Sequence, residues 1–510
     1  MKIAVTGGTG NIGNEVLKAI LPLDFVENVH ILVRPNKANS KKIVEFCRCF
    51  PKKIKLFIGD MNNKQCLSSL IKEVDVVINL AAVIPPISDN NPKLAIECNE
   101  IGLNNLVDVL ESNNPQALFI DMSSVAVYGN RNEKHPFVEV GDPLLISVGD
   151  IYALTKVRAE FRVLESKLNK WVILRESAVL HENLMKDNMK DGIMFHTCFN
   201  TPLEWISSKD TAVLFKNICI KYHNNELNYQ NFYKKVFNVG NKNNRLTGYE
   251  TFNEGFKMLG AGCESLFEPN FNVLRNFHGA WFRDSDKLNE MFNFQNDQIS
   301  LFWDKLIKQN KIVTLGKFLP KKLIKKLVIE RLFEDKNAPR YWINHQDEAK
   351  IKAYFINLDT FYKIPKTFEE FGLFCKQSNY LYIKNNTNYQ RINLFFDINK
   401  KDEDIDIDDL INVAKAHNGK LLSSEFKKGD IYQQLTWETQ DKEVFKATPY
   451  TILRAGHWYN PSYYKYSWEF DRLAKTDLIY KQVWLDSRLE SENNIYYFNK
   501  YLKLNVKETS

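Results

Sequence analysis

No run in this 510-residue sequence approaches the roughly 20 apolar residues that a membrane-spanning helix requires. The opening residues already read as a strand, with no charged and apolar leader ahead of them, so a soluble cytoplasmic protein is expected. Cysteine is sparse and scattered. Of the eight, only Cys47 and Cys49 lie close together, and no second pair or histidine completes a zinc pattern; no metal is expected, and the thiols read as reduced core residues. A strong charge of one sign is also missing. The formal net charge is +7, and Lys and Arg read as mixed among Asp and Glu rather than massed on one segment, which argues against a nucleic-acid partner. There are no repeats and no low-complexity tracts. What is present is 44% apolar and 13% aromatic residues, enough to build cores in a chain of about two to four domains.

Glycine is scarce as well, 21 residues in all, yet four fall within the first thirteen positions. In "MKIAVTGGTGNIG", Gly7, Gly8, Gly10 and Gly13 follow a strand and open a helix whose inner face carries Ile12, Val16, Leu17 and Ile20. Bare backbone at a helix start lets a pyrophosphate approach the free N–H groups, where the helix dipole favours negative charge. A similar turn also serves wherever a strand reverses tightly into a helix, so the loop alone does not decide the matter. Downstream, "NVHILV", "KIKLFIG", "DVVINLAA", "ALFIDMSS" and "WVILRESAVL" are apolar on nearly every residue, as expected of parallel strands covered on both faces. Helical patterns, among them "KKIVEFCRCF" and the long "PKLAIECNEIGLNNLVDVLESN", separate several of them.

The residues at the strand ends resemble the extended short-chain dehydrogenase/reductases, of the NAD-dependent epimerase/dehydratase type. The match is carried by "TGGTGNIG", by Gly59 and Asp60, by "NLAA" at Asn79 to Ala82, by "SSVAVYG" at Ser123 to Gly129 and by "YALTK" at Tyr152 to Lys156, in the family's order and spacing, over about residues 1–320. The resemblance implies an α/β fold: a Rossmann-type doubly wound parallel sheet with a small substrate lobe. It implies that Gly7, Gly10, Asn11, Ile12 and Gly13 meet the cofactor phosphates and that Asp60 meets the adenine. Ala81 and Ala82 would let the backbone approach the cofactor, and Met61, Leu80, Asn99, Tyr152 and Lys156 complete the set.

Tyr152 and Lys156 lie four apart in a helical pattern, so both emerge on one face. A nearby ammonium favours the phenolate and lowers the tyrosine pKa, which suits proton exchange. Ser124 ends a strand at the carboxyl edge of the sheet, where open α/β folds bind ligands. By resemblance it holds the substrate oxygen while Tyr152 exchanges a proton and a nicotinamide exchanges hydride. Taken alone, Tyr152 and Lys156 read as a surface pair, and Asn99 reads equally as a tie between backbone segments. At the end of the second strand an acid would bind the ribose of NAD, but the chain has Val33 and Arg34 there; Arg34, with Lys37 or Lys41, favours NADP over NAD.

The substrate is not specified. "TPLEWISSKDTAVLFKNICIKY" reads as a strand and a helix led by Asp210, and "KVFNVGN" as a strand returning to the lobe. His278, Trp281 and Arg283 serve either a pocket or lobe packing. Family members that dehydrate nucleotide sugars place an acidic pair after the catalytic hydroxyl residue; Val125 and Ala126 stand there instead, which disfavours a 4,6-dehydratase. Residues 321–345 read as an amphipathic helical connection with Leu319, Leu323, Leu327 and Ile329 available to pack, and residues 346–510 as an α+β domain of unknown role. In it, "QRINLFFDI" reads as a strand, "DIDDLINVAKAHNG" as a helix with a glycine stop and "DIYQQLTWETQDKEVFKATPY" as a hairpin turning near Gln440 and Asp441. The run "RAGHWYNPSYYKYSWEFD" with His457 reads as core or interface packing. The leading expectation is an NADP-dependent oxidoreductase acting on a small polar metabolite, with no membrane or nucleic-acid partner; a homodimer is compatible with the sequence. A nucleotide-sugar epimerase and a cofactor-binding interaction protein are the alternatives.

Overall fold

A computed structural model describes residues 1–184, 189–309, 315–377, 389–458, 467–498 and 504–508. Its centre is a seven-stranded parallel sheet: β1 (Lys2–Thr6), β2 (Asn28–Val33), β3 (Ile54–Ile58), β4 (Val76–Asn79), β5 (Leu118–Ser124), β6 (Lys170–Glu176) and β7 (Lys235–Val239). In space they run β7-β6-β5-β4-β1-β2-β3, so the order reverses between β1 and β4, and every β-carboxyl end reaches the same edge. The five central strands bury almost every residue, as their unbroken apolar runs require. On one face α1 (Asn11–Ile20) and the Ser208–His223 helix pack through Val16, Leu17, Leu214 and Phe215. On the other face lie the Gly102–Asn113 and Ile151–Leu164 helices.

The strand "KVFNV" does not return to the lobe as expected. It is β7, hydrogen-bonded to β6 from Lys235↔Val172 to Val239↔Glu176 at the edge of the main sheet. The lobe instead has a three-stranded sheet of Ala178–Leu180, Pro202–Ser207 and Arg245–Thr247, and a pairing of Phe137–Val138 with Trp281–Phe282.

The expected connecting helix is broken into a short α-turn (Lys321–Ile324), a π-turn (Lys325–Ile329) and a 3-10 turn (Glu330–Glu334). Of the residues expected to pack, only Ile329 is buried; Ile324 and Leu332 join it, whereas Leu319, Leu323 and Leu327 are exposed. "QRINLFFDI" is not a strand either, although Ile392 and Leu394 are buried. The helix is found at Ile407–Ala416 with an Asp406/Asp409 capping box, and the hairpin at Leu435–Glu438 and Val444–Ala447. Residues 459–466 of the aromatic run lie outside the described residues.

The C-terminal region shares the apolar cluster that covers the Ile151–Leu164 helix and contacts the sheet through buried polar groups. Arg175 of β6 pairs with Glu160 at 2.7 Å and donates to the Ala455 carbonyl at 2.7 Å, and His457 meets the same Glu160 at 3.1 Å. Arg275 pairs with Glu492 and donates to the Ala353 carbonyl.

Candidate active site

The glycine turn is shaped by contact. Gly7 has φ +69°, and a Cβ there would lie 2.4 Å from the Leu80 carbonyl oxygen; one on Gly13 would lie 2.2 Å from the Gly7 oxygen. Gly10 stands at the start of α1 with no side-chain cap, and the first turn contains no acid, so the N–H groups of Asn11, Ile12 and Gly13 keep the helix dipole's positive end open. Beneath the turn, Thr6 Oγ1 donates to Asn79 Oδ1 at 2.5 Å, Asn79 Nδ2 donates to Asp121 Oδ1 at 2.7 Å, and the Ala81 N–H reaches Thr6 Oγ1 at 3.3 Å. These buried bonds fix the ends of β1, β4 and β5 against one another, and with them Leu80, Ala81 and Ala82.

Arg34 is exposed at the end of β2, and Asp60 is exposed after β3, where Oδ1 accepts from the Asn62 N–H. Met61 is buried beneath Gly102, which a Cβ would bring within 2.4 Å of it. The lysine that reaches the glycine turn is Lys42, whose Nζ donates to the Thr9 carbonyl at 2.8 Å; the Lys37 side chain lies outside the described residues. Burial pushes the Cys98 thiol up, while the charges of Arg34 and Lys156 pull it down.

The long helix expected over residues 92–113 contains a π-turn at Ile96–Ile101, and this re-aims Asn99. Its Oδ1 accepts from the Val83 N–H at 2.7 Å, and Nδ2 donates to the Val83 carbonyl and to Thr155 Oγ1. Asn99 thus ties the segment after β4 to the helix that carries Tyr152.

Ser124, Tyr152 and Lys156 come together at the carboxyl edge. Asp150 caps the Ile151–Leu164 helix through the Ala153 N–H, which sets the first turn bearing Tyr152. Lys156 is buried; its Nζ donates to the Met122 carbonyl at 2.6 Å and lies 6.0 Å from the centre of the Tyr152 ring. Ser124 Oγ accepts from the Ala126 N–H at 3.2 Å and faces the phenol. Burial raises the Tyr152 pKa, while Lys156 and Ser124 pull it down, and the net direction is upward. The expectation of a lowered pKa is therefore corrected: removing the phenol from water outweighs the ammonium.

Glu176 was not read from the sequence, and His278 was read without its partners Asp150 and Asp89. Glu176 ends β6 directly across from Ser124, is buried, and accepts from Thr211 Oγ1 at 2.5 Å; burial raises its pKa to about 7 against the pulls of Thr211 and Lys156. Only its place at the end of an apolar strand could have marked it. His278 bonds to Asp150 at 2.5 Å, beside Asp89, whose carboxyl burial and Asp150 raise to about 7. Trp281 and Arg283, by contrast, pack around Phe137. Among the described residues no group of metal-ligating side chains forms, and all eight cysteines are free.

Residues 3–175 match the model of the NAD dependent epimerase/dehydratase family. Over 137 residues the chain is 31% identical to D-erythronate dehydrogenase of Haemophilus influenzae, covering 25% of this chain and 39% of that one. It is 29% identical over 128 residues to UDP-glucose 4-epimerase of Rickettsia bellii, covering 25% and 37%. The chain thus spans well under two thirds of the relatives it matches. The solved structure of DesIV, a dTDP-glucose 4,6-dehydratase from Streptomyces venezuelae with NAD and TYD bound, superposes with a TM-score of 0.50 at 16% identity, covering 61% of this chain and 97% of that one; it supports the fold. The family match ends within β6, and the C-terminal region lies beyond it.

Proposed function

We propose that the chain moves hydride between a nicotinamide dinucleotide and an alcohol or carbonyl carbon of a small polyhydroxylated metabolite. The observation that carries this reading is the convergence of Ser124, Tyr152 and Lys156 at the carboxyl edge of a sheet whose first turn has no room for a Cβ at Gly7 or Gly13. Gly7, Gly10, Asn11, Ile12 and Gly13 would hold the pyrophosphate of the cofactor, Asp60 and Met61 would border its adenine, and Leu80, Ala81, Ala82, Asn99, Tyr152 and Lys156 would line the rest. When bound, a nicotinamide supplies the hydride acceptor or donor. Ser124 Oγ holds the substrate oxygen. In the oxidising direction the hydroxyl proton passes to Tyr152 Oη as the carbon surrenders hydride, and Lys156 stabilises the phenolate that receives it.

The end of β2 carries no acid for the adenosine ribose and presents Arg34 instead, which supports a preference for NADP, although the family is described as NAD dependent and DesIV holds NAD. Calorimetry with both cofactors on the wild type and on Arg34→Ala tests this: tighter NADP binding that is lost in the variant is expected, and equal or tighter NAD binding leaves NAD as the cofactor.

A second reading, an epimerase of a nucleotide sugar, is supported by the Rickettsia relatives. Buried Val125 and Ala126 after Ser124 speak against a 4,6-dehydratase. Sugar acids and nucleotide sugars assayed with added cofactor separate the two readings: net reduction or oxidation of the dinucleotide marks a dehydrogenase, whereas inversion of the substrate with none marks an epimerase. Failure of every such substrate to exchange isotopic hydrogen with the cofactor would count against both.

A further inference from the structure

The net charge is less evenly spread than the composition suggests. Residues 299–329 contain eight lysines and one acid, Asp304, a surplus of seven that equals the net charge of the whole chain. From Leu315 to Ile329 there are five lysines and no acid. The same short stretch exposes apolar side chains out of proportion to its length. Five of the twenty exposed large apolar residues described fall between 315 and 327: Leu315, Phe318, Leu319, Leu323 and Leu327, with Phe318 the most exposed of all at 75%.

The segment is held to the body from its other side. Ile324 and Ile329 are buried, Lys321 Nζ donates to the Leu259 carbonyl at 2.9 Å, and Lys325 pairs with Glu268 at 2.7 Å. That anchoring leaves Leu319, Leu323 and Leu327, four residues apart, directed away from the core, with Lys322 and Lys326 exposed beside them. Single exposed leucines are ordinary on protein surfaces; a cluster flanked by one sign of charge is not.

We propose that this face docks on the surface of a lipid bilayer rich in anionic headgroups. Leucine and phenylalanine side chains enter the boundary between headgroups and acyl chains, while lysines stay at the headgroup level, where a negative surface attracts them. The composition favours a bilayer over a protein partner. Residues 299–329 contain no arginine, and specific protein interfaces enrich arginine and deplete lysine because the guanidinium makes directed, paired hydrogen bonds. A row of point charges beside a greasy stripe suits a surface with no fixed pattern. The contact is peripheral, in keeping with the finding that no described helix is long and apolar enough to cross a membrane.

The full-length protein, mixed with vesicles of phosphatidylcholine alone or containing about a third phosphatidylserine, tests this by co-sedimentation. At least about fivefold more protein is expected with the anionic vesicles at low salt, with most of the difference removed by high salt. The double variant Lys322→Glu/Lys326→Glu is expected to fall to the phosphatidylcholine level, and Phe318→Ser/Leu327→Ser to lose most binding at low salt, both with unchanged thermal stability because the altered side chains are exposed. Equal recovery with both vesicle types overturns the proposal. So does binding that ignores Phe318 and Leu327, which marks simple polyanion attraction, or self-association abolished by these variants without vesicle binding, which marks the face as a protein contact.

Discussion

The two regions of this molecule share one apolar cluster but differ in where their buried charges stand. The parallel sheet rests on central apolar strands buried on both faces and on helices whose stripes match them, with buried polar bonds such as Asn79 to Asp121 and His30 with the Leu70 carbonyl set among them. The C-terminal region has three-stranded antiparallel sheets of two to five residues per strand, and it meets the first region through a shared apolar cluster crossed by buried charges: Arg175 and Glu160 with Ala455 and His457, and Arg275 with Glu492 and the carbonyls of Lys352 and Ala353. Apolar layers tolerate change because their stabilisation is spread over many contacts. A buried charge concentrates it, since losing one partner leaves the other in a dry interior. The buried charges that join the two regions are therefore where integrity depends most sharply.

The largest effect is expected from cutting between the two regions. Residues 1–330 alone lack the partners of Arg275, the Ala455 and His457 contacts of Arg175 and Glu160, the carbonyls that Asn132 bonds at 482 and 483, and the Tyr450 hydroxyl that accepts from the Val236 N–H. We expect an aggregating fragment. A soluble, monodisperse one of unchanged stability by calorimetry would make the two regions independent.

Single removals come next. Glu492→Gln removes the carboxylate that pairs with the buried Arg275 guanidinium at 2.6 Å and is expected to cost about 3–5 kcal/mol in denaturant unfolding. A core change in the sheet that conserves shape, such as Ile120→Val, is expected to cost about 0.5–1.5 kcal/mol. If the order were reversed, the contrast between charge-held and layer-held regions would fail.

A pH-dependent effect is expected within the site. The Glu176 carboxyl is raised from its ordinary 4.5 to about 7, so between those values the native state holds a proton that the unfolded chain has released. Its contribution to stability is present below about pH 4.5 and is lost as the pH rises through 7. Glu176→Gln removes this dependence, so the variant's stability relative to wild type should improve between pH 5 and pH 8, by up to about 3 kcal/mol. An unchanged difference would place Glu176 in a more polar setting than its burial indicates.

What the sequence revealed follows the same division. Strands buried on both faces announce themselves as apolar runs, and the glycine turn, Ser124, Tyr152 and Lys156 stand at fixed offsets from them. Glu176 was not legible, because a carboxylate after an arginine reads as solvated until the register places it across from Ser124. Nor was the displacement of "KVFNV" into the main sheet, since a five-residue strand pairs as well with a lobe as with β6. "QRINLFFDI" buries Ile392 and Leu394 without a strand partner, and the leucines at 319, 323 and 327 face outward. In these segments, burial is decided by neighbours distant in sequence, which local periodicity does not contain.

The most direct test of the proposed chemistry is Tyr152→Phe, which removes one oxygen and leaves the ring in place beside Lys156. Retained dinucleotide affinity by calorimetry, with hydride exchange reduced by about 100-fold or more, is expected if the phenol carries the proton. Full turnover in the variant, measured on a substrate the wild type accepts, would contradict it.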